Sequence, residues 1–249
     1  WANLDASQQA ALDRPPEGEP DGLGRERLAF LRGERGEEGR LFRQRGSVLG
    51  DIVNSAPLLI GPPSRNARAL DRLEGDLQVQ RYSAFKAAQG QRPSVLYVGA
   101  NDGMLHAFAA DSGDELFAFV PSAVIGELNQ LADPGYVGDR HRYFVDGPLV
   151  AEDVFFDGAW RTVLVGSLGG GGRALFALDV SDPRSPRLLW EIDASERFAE
   201  LGFGLPRPSL VRLSDGRWVV LAANGYGSRN DRALLYLIDI GSGRPLQAL

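Results

Sequence analysis

One strand–turn–strand unit recurs three times along the chain: VLYVGANDGMLHAFAADSGDELF (residues 95–117), TVLVGSLGGGGRALFALDVSDPRSPRLLW (162–190) and VVLAANGYGSRNDRALLYLIDIGSGRPL (219–246). In each copy an apolar strand ends in small residues, a Gly/Asn/Asp-rich turn follows, and a second apolar strand leads through another turn into a short third strand. Ala109, Asp179 and Asp239 hold the same place in the three copies, 70 and then 60 residues apart. Repetition on this scale is how a chain encodes a propeller or a solenoid, because each unit buries its apolar face only against its neighbour. It also speaks against a single catalytic centre, since residues that recur for packing need not mark a site.

Extended by one strand upstream, the units read as four-stranded blades. The second comprises 148–156, 160–167, 173–180 and 187–192, with its first hairpin turning at Asp157-Gly158. The third comprises 208–213, 218–223 and 233–240, then a strand running into the C-terminus, and turns at Asp215-Gly216. Trp160 and Trp218 each follow their Asp-Gly turn by two residues and are equivalent. Pro57, Pro148 and Pro208 sit where strands begin, the position at which a missing N–H costs least. The first blade opens with 55–60 and resumes at 95–100, so residues 61–92 replace its hairpin turn. That polar insertion carries a short helix near 82–88 and is expected to project from one rim, and a second excursion, 123–146, lies between blades. The fold class is therefore all-β, a partial propeller of about three four-stranded blades over 47–249 (blades about 55–119, 147–192 and 206–249). Three blades do not close a ring, and further repeats are expected after Leu249.

Residues 1–46 differ. Residues 7–13 read as a short helix capped by Ser7, residues 14–24 as a Pro/Gly-rich acidic loop, and 25–32 as a short amphipathic helix using Leu28 and Leu31. Residues 34–45, dense in both charges, read as a solvated connection. The chain opens at Trp1 without an initiator Met or a signal-like segment, so its natural N-terminus is expected to lie upstream.

A net charge of −6 argues against nucleic acid, which demands a concentrated positive face. Lys86 is the only lysine among the 27 basic residues, read as a coding bias. The absence of cysteine excludes disulfides, thiolate metal sites and thiol nucleophiles. No apolar run approaches the length of a membrane span.

The candidate motifs carry little chemistry. Residues 169–172, GGGG, lack the Lys-Ser/Thr of a phosphate loop and run into a strand, so they read as a hairpin turn needing positive φ. Asn101-Asp102-Gly103 is the equivalent turn. Neither residues 100–106 nor residues 228–231 have calcium-loop spacing; Asp133, Asp139, Asp146 and Asp153 could converge on an ion, but carboxylates so widely spaced read first as solvated. His106 and His141 are the only histidines; His106 reads as a hydrogen-bonded structural residue. Ser55 and Ser167 lie near strand ends without a nucleophile elbow. Phe117 and Trp190 close their repeats at equivalent places, as packing between sheets. No catalytic, cofactor-binding or metal residue is assigned.

The repeats resemble those of quinoprotein-dehydrogenase-type propellers. A more specific resemblance runs through SVLGDIVNSAPLLIG (47–61), YVGANDGMLHAF (97–108), FVPS (119–122), YFVDGPL (143–149), LVGSLGGGGRALFALDV (164–180), LGFGLPRPSLVRL (201–213) and LAANGYGS (221–228). Together with the lead-in, these segments resemble the C-terminal propeller of the PilY/PilC family of type IV pilus biogenesis factors and tip-associated adhesins. The resemblance implies export to the bacterial surface and association with pilus machinery through minor pilins. It also implies opposition to retraction, support of twitching, and contact with host ligands. It implies calcium held by a DxDxDG-type loop, expected after Leu249, so no ligand is carried onto this chain. The rim insertions 61–92 and 123–146 are then expected to meet partners. The alternatives are a PQQ- and calcium-dependent dehydrogenase, or a periplasmic scaffold unrelated to pili.

Overall fold

The computed structural model describes residues 1–74 and 80–249, and three four-stranded antiparallel sheets dominate it. The first comprises β1 (Leu58–Ile60), β2 (Val95–Ala100), β3 (Met104–Ala109) and β4 (Glu115–Phe119). The second comprises β5 (Leu149–Phe156), β6 (Ala159–Ser167), β7 (Ala174–Asp179) and β8 (Arg187–Asp193). The third comprises β9 (Ser209–Arg212), β10 (Trp218–Ala223), β11 (Leu235–Asp239) and β12 (Pro245–Ala248). Strands pair in sequence order within each sheet, and β5 lies against both β1 and β9, so the first strands of the blades converge. The opening strand of blade one is shorter than its sequence suggests. Ser55 turns its Oγ to accept the N–H of Gly99 at 2.9 Å, which takes the chain off the ladder before Leu58.

The three copies agree in register. Val95, Val163 and Val219 face Ala109, Asp179 and Asp239. Asp179 Oδ1 accepts from the Ser181 hydroxyl, and Asp239 Oδ1 accepts from the Ser242 hydroxyl, each at 2.6 Å, so this recurring Asp closes the turn after its strand. Each blade also carries a register shift at one matching place, between Ala107 and Phe108, Ala177 and Leu178, and Leu237 and Ile238. A bulge there increases the twist of the outer pair.

Blade two is the shared wall. One set of its side chains, including Leu149, Leu164, Phe176 and Leu178, packs with blade one and the lead-in. The other, including Val150, Trp160, Val163 and Val165, packs with blade three. Every residue of β7 is consequently buried, which is why the strand lacks the alternation of a half-exposed sheet. Trp160 and Trp218 meet edge-on across the blade two–blade three contact, ring centroids 6.0 Å apart.

The lead-in is part of this core. Helix α1 (Ala6–Leu12) is capped by Asp5 rather than Ser7: Asp5 accepts the Gln8 N–H at 2.9 Å while the Gln8 side chain accepts the Asp5 N–H at 3.0 Å. Helix α2 (Gly24–Leu31) buries Arg27, Phe30 and Leu31, leaving Leu28 only half-buried. The expected solvated stretch 34–45 instead contains a buried ion pair. Arg45 Nε meets Glu38 Oε1 at 2.7 Å, with side-chain exposures of 5% and 7%. The Arg45 guanidinium lies 3.7 Å from the Phe30 ring centroid and donates to the carbonyls of Phe30 and Glu34. Burial pushes the Glu38 carboxyl up, but hydrogen bonds from Arg35 and Arg45 outweigh it and hold the group down at about 2.

The insertion 61–92 does not project freely. Its helices α3 (Ala67–Glu74) and α4 (Tyr82–Ala88) lie across the next two blades, and residues 75–79 between them fall outside the described set. Leu70, Tyr82 and Phe85 join the core of blades two and three. Tyr82 donates its hydroxyl to buried Asp153 at 2.6 Å and packs edge-on against Trp160 at 4.8 Å. Arg92 donates to Thr162 Oγ1 at 2.7 Å, and Arg212 of blade three donates to the Leu73 carbonyl at 3.1 Å. The segment is a strap leaving blade one and returning to it over its neighbours. Its apolar positions at helical spacing serve the core, which corrects the expectation of a free rim. Among the described residues no helix is long and apolar enough to cross a membrane.

Candidate interaction surface

At the end of the blades opposite the strap, each blade's leading segment crosses a β-hairpin turn. Asn101 N donates to the Asp51 carbonyl, Asp146 N to that of Leu168, and Gly202 N to that of Asn224. The crossing explains the glycine run 169–172. Only Gly169 has a left-handed φ, +59°; Gly171 is needed because a Cβ there would fall on the Phe144 carbonyl oxygen. Close approach of two backbones accounts for the run more fully than turn conformation does.

This face joins the two most distinctive sequence words, LGDIVNSAP and VGANDGMLHAF. Buried Asn101 donates from Nδ2 to Asp51 Oδ2 at 2.9 Å and accepts the Phe144 N–H at 3.0 Å, linking the leading segments of blades one and two. Asp146, also buried, accepts both the backbone N–H and the side-chain amide of Asn54, at 3.0 and 2.7 Å. Asp102 Oδ2 accepts the Gly50 N–H at 2.7 Å. Held at these points, the segment between Arg45 and Ser55 exposes Val48, Leu49, Ile52 and Val53, the last at 53%. Four exposed apolar side chains thus lie together on one short, pinned segment, the kind of patch that marks interaction sites.

Both histidines serve this segment. His141 Nε2 lies 2.9 Å from Asp51 Oδ2. Burial pushes the Asp51 carboxyl up, but hydrogen bonds from Asn101 and His141 outweigh it and keep the group below its ordinary value. His106 sits between Asp102 (Nε2, 3.0 Å) and Glu115 (Nδ1, 2.6 Å), stacked on Phe108. Burial alone would lower the imidazole, but the two carboxylates outweigh it and raise the group above 6.5. Only the imidazolium donates through both nitrogens, so the geometry selects the charged form. The raised native value means that His106 stabilises the fold fully below about pH 6.5, and that this contribution is lost as pH rises through the native value. Urea unfolding across pH 5.5–9 is expected to show that decline, and His106→Gln to flatten it. An unchanged slope in the variant would refute the assignment.

The other candidate residues are dispersed. Asp133 accepts the Gly135 N–H, Asp146 holds Asn54, and Asp153 accepts from Tyr82 and from Thr162 at 2.6 Å. Asp146 and Asp153 are buried rather than solvated, each because protein donors satisfy it. Calcium needs six or more converging oxygens. Among the described residues no group of three or more His, Asp or Glu side chains is placed to hold an ion. These residues do not fit a calcium site. Ser167 Oγ is fully buried with no hydrogen-bond partner among the described residues, so nothing there activates it as a nucleophile. The pairings of Asp51, Asn54 and Asn101 join residues 43 to 92 positions apart, beyond the reach of local patterning.

Residues 49–247 match the family model described as the PilY1 β-propeller domain. Over 247 residues the chain is 47% identical to type IV pilus biogenesis factor PilY1 of Pseudomonas aeruginosa strain PAK, covering 98% of this chain and 21% of that protein. A PilY1 homolog from Xylella fastidiosa is 43% identical over 226 residues, covering 89% of this chain and 18% of that one. The crystal structure of the P. aeruginosa PilY1 C-terminal domain superposes with a TM-score of 0.64 at 42% identity, covering 77% of this chain and 36% of that structure. The chain thus spans about a fifth of the length of the curated relatives it matches. Its repeated blades, its two distinctive words and these matches agree: the chain belongs to the PilY1 β-propeller domain family.

Proposed function

We propose that this chain acts within a type IV pilus biogenesis factor at the bacterial surface, as a rigid scaffold that binds pilus components. The observation that carries the reading is the pinned segment LGDIVNSAP, whose apolar side chains face solvent while its polar ones are committed to the blades. A segment built this way offers contact area at little ordering cost, because its backbone is fixed before a partner arrives. Minor pilins are the proposed partners, and attachment, twitching and resistance to retraction are the proposed consequences.

The test uses full-length P. aeruginosa PilY1 with its matching segment exchanged for this chain, expressed in a strain lacking its own copy. Surface pili are expected to return. Changing Val48, Leu49, Ile52 and Val53 together to serine is expected to reduce pilus number without reducing the amount of exported protein. Undiminished pili in that variant would remove the segment from the contact. A folded, exported chimera that restores no pili would remove the role itself.

A further inference from the structure

Beside the pinned segment runs a groove of about 530 Å³ between the 123–146 excursion and the glycine turn of blade two. Tyr143 and Phe203 line it, and Tyr226 packs against Phe203 just beyond that lining. Tyr143 is 42% and Tyr226 65% exposed, large values for aromatic side chains. Both rings rest on glycines: a Cβ on Gly170 would meet the Tyr143 ring at 3.0 Å, and one on Gly204 would fall on the Tyr226 ring. Tyr143 also packs edge-on against His141, and Tyr226 against Phe203 at 6.3 Å. The rings are therefore braced and outward-facing, the arrangement that gives aromatic anchors high contact area for little lost entropy.

The charge in the groove has one sign left over. On its far wall Arg142 pairs with Glu127, and His141 with Asp51. Arg173 instead stacks on the Phe203 ring, 4.8 Å from the centroid, and among the described residues no carboxylate pairs with it. Among the described residues, the basic groups of the far wall are thus matched by carboxylates, and the guanidinium of the near wall is not. A stacked guanidinium keeps its fork of N–H donors free along the ring plane, suited to a carboxylate. The glycine backbone beside it lets a ligand's main chain approach closely.

The geometry points to a binding site for an extended acidic peptide of a partner protein, with Arg173 receiving a carboxylate and Tyr143 and Tyr226 packing against the chain on either side. The site does not rest on the pilus reading, since a propeller with any other role would present the same groove.

Backbone amide NMR of the full 249-residue chain, titrated separately with hexaglutamate, hexalysine and a hyaluronan tetrasaccharide, tests it. Hexaglutamate is expected to shift the amides of Gly170, Gly172, Arg173 and Gly204, and hexalysine to shift none of them. Arg173→Gln is expected to weaken the response about tenfold, with the spectrum elsewhere unchanged as the control for folding. Tyr143→Ala and Tyr226→Ala are each expected to weaken it too. No response, an equal response to both peptides, or full binding by Arg173→Gln would overturn the proposal. Groove shifts with the tetrasaccharide alone would overturn it in favour of a saccharide ligand.

Discussion

Tyr82→Ala is expected to lower stability by about 3–5 kcal/mol, the range for truncating a fully buried aromatic side chain. Tyr82 has no exposed surface, although it belongs to a helix inserted into a hairpin of blade one and bonds Asp153, 71 residues later. Three effects act together. The cavity opens beside Trp160, the edge-on ring contact disappears, and Asp153 loses one of its two hydroxyl donors inside the protein. Tyr82→Phe isolates the last of these and is expected to cost about 1–3 kcal/mol, since a buried carboxylate oxygen is left without its donor. Burial and the bond to Asp153 both push the Tyr82 hydroxyl well above its ordinary value, so it keeps its proton and donates throughout the neutral range. Urea unfolding followed by tryptophan fluorescence reads the effect directly, because Trp160 reports the cavity. A loss below about 1 kcal/mol for Tyr82→Ala would show that the strap lies on the blades without holding them.

Asn101→Leu is expected to cost about 2–4 kcal/mol, through the orphaned N–H of buried Phe144 and the donor removed from Asp51. Leu keeps the branch of Asn but is bulkier, so overpacking at this buried site adds to the loss, and Asn101→Asp, of nearly equal size, separates the two. The second signature of Asn101→Leu is local: hydrogen exchange at Gly50 and Asn54 should accelerate, because the segment they belong to loses its central tie. Asn101→Asp keeps an acceptor for Phe144 but sets a carboxylate against Asp51. Its loss should therefore shrink as pH falls toward the carboxylate range. Exchange rates unchanged in both variants would mean that Asp102 and Asp146 alone pin the segment.

The blades were readable from residue order because each is local, as with strand Trp218–Ala223, and so was the strap helix Tyr82–Ala88. The equivalence of Trp160 and Trp218 was readable for the same reason, and the structure turns it into contact. What local pattern missed depends on partners distant in sequence. Arg45 and Glu38 look like solvent charges until Phe30 comes to lie beneath the guanidinium. The insertion 61–92 looks polar because polar residues outnumber the apolar ones, yet Leu70, Tyr82 and Phe85 pack into one core with Trp160. The cap of α1 is legible too, since the Asp5-x-x-Gln8 box is local, and it is this box and not Ser7 that closes the helix start. Local pattern places the first strand at 55–60 and assigns no element to 48–53; there Val48, Leu49, Ile52 and Val53 face water, their backbone held by Asp102 and Asp146 of later segments.

Hydrogen-bonded strand pairing ends at the border of every sheet, so under tension the blades would part along side-chain seams before any ladder unzips. The strap alters that order of failure. Anchored at both ends in blade one and lying over blades two and three, it works as a cross-brace, and a pull that separates the seams must first shear Tyr82 and Arg92 out of their seats. A protein surface that must transmit force would gain resistance from such bracing without any added strand. A single-molecule pulling trace of the chain should therefore show one high rupture peak, which Tyr82→Ala would split into smaller steps.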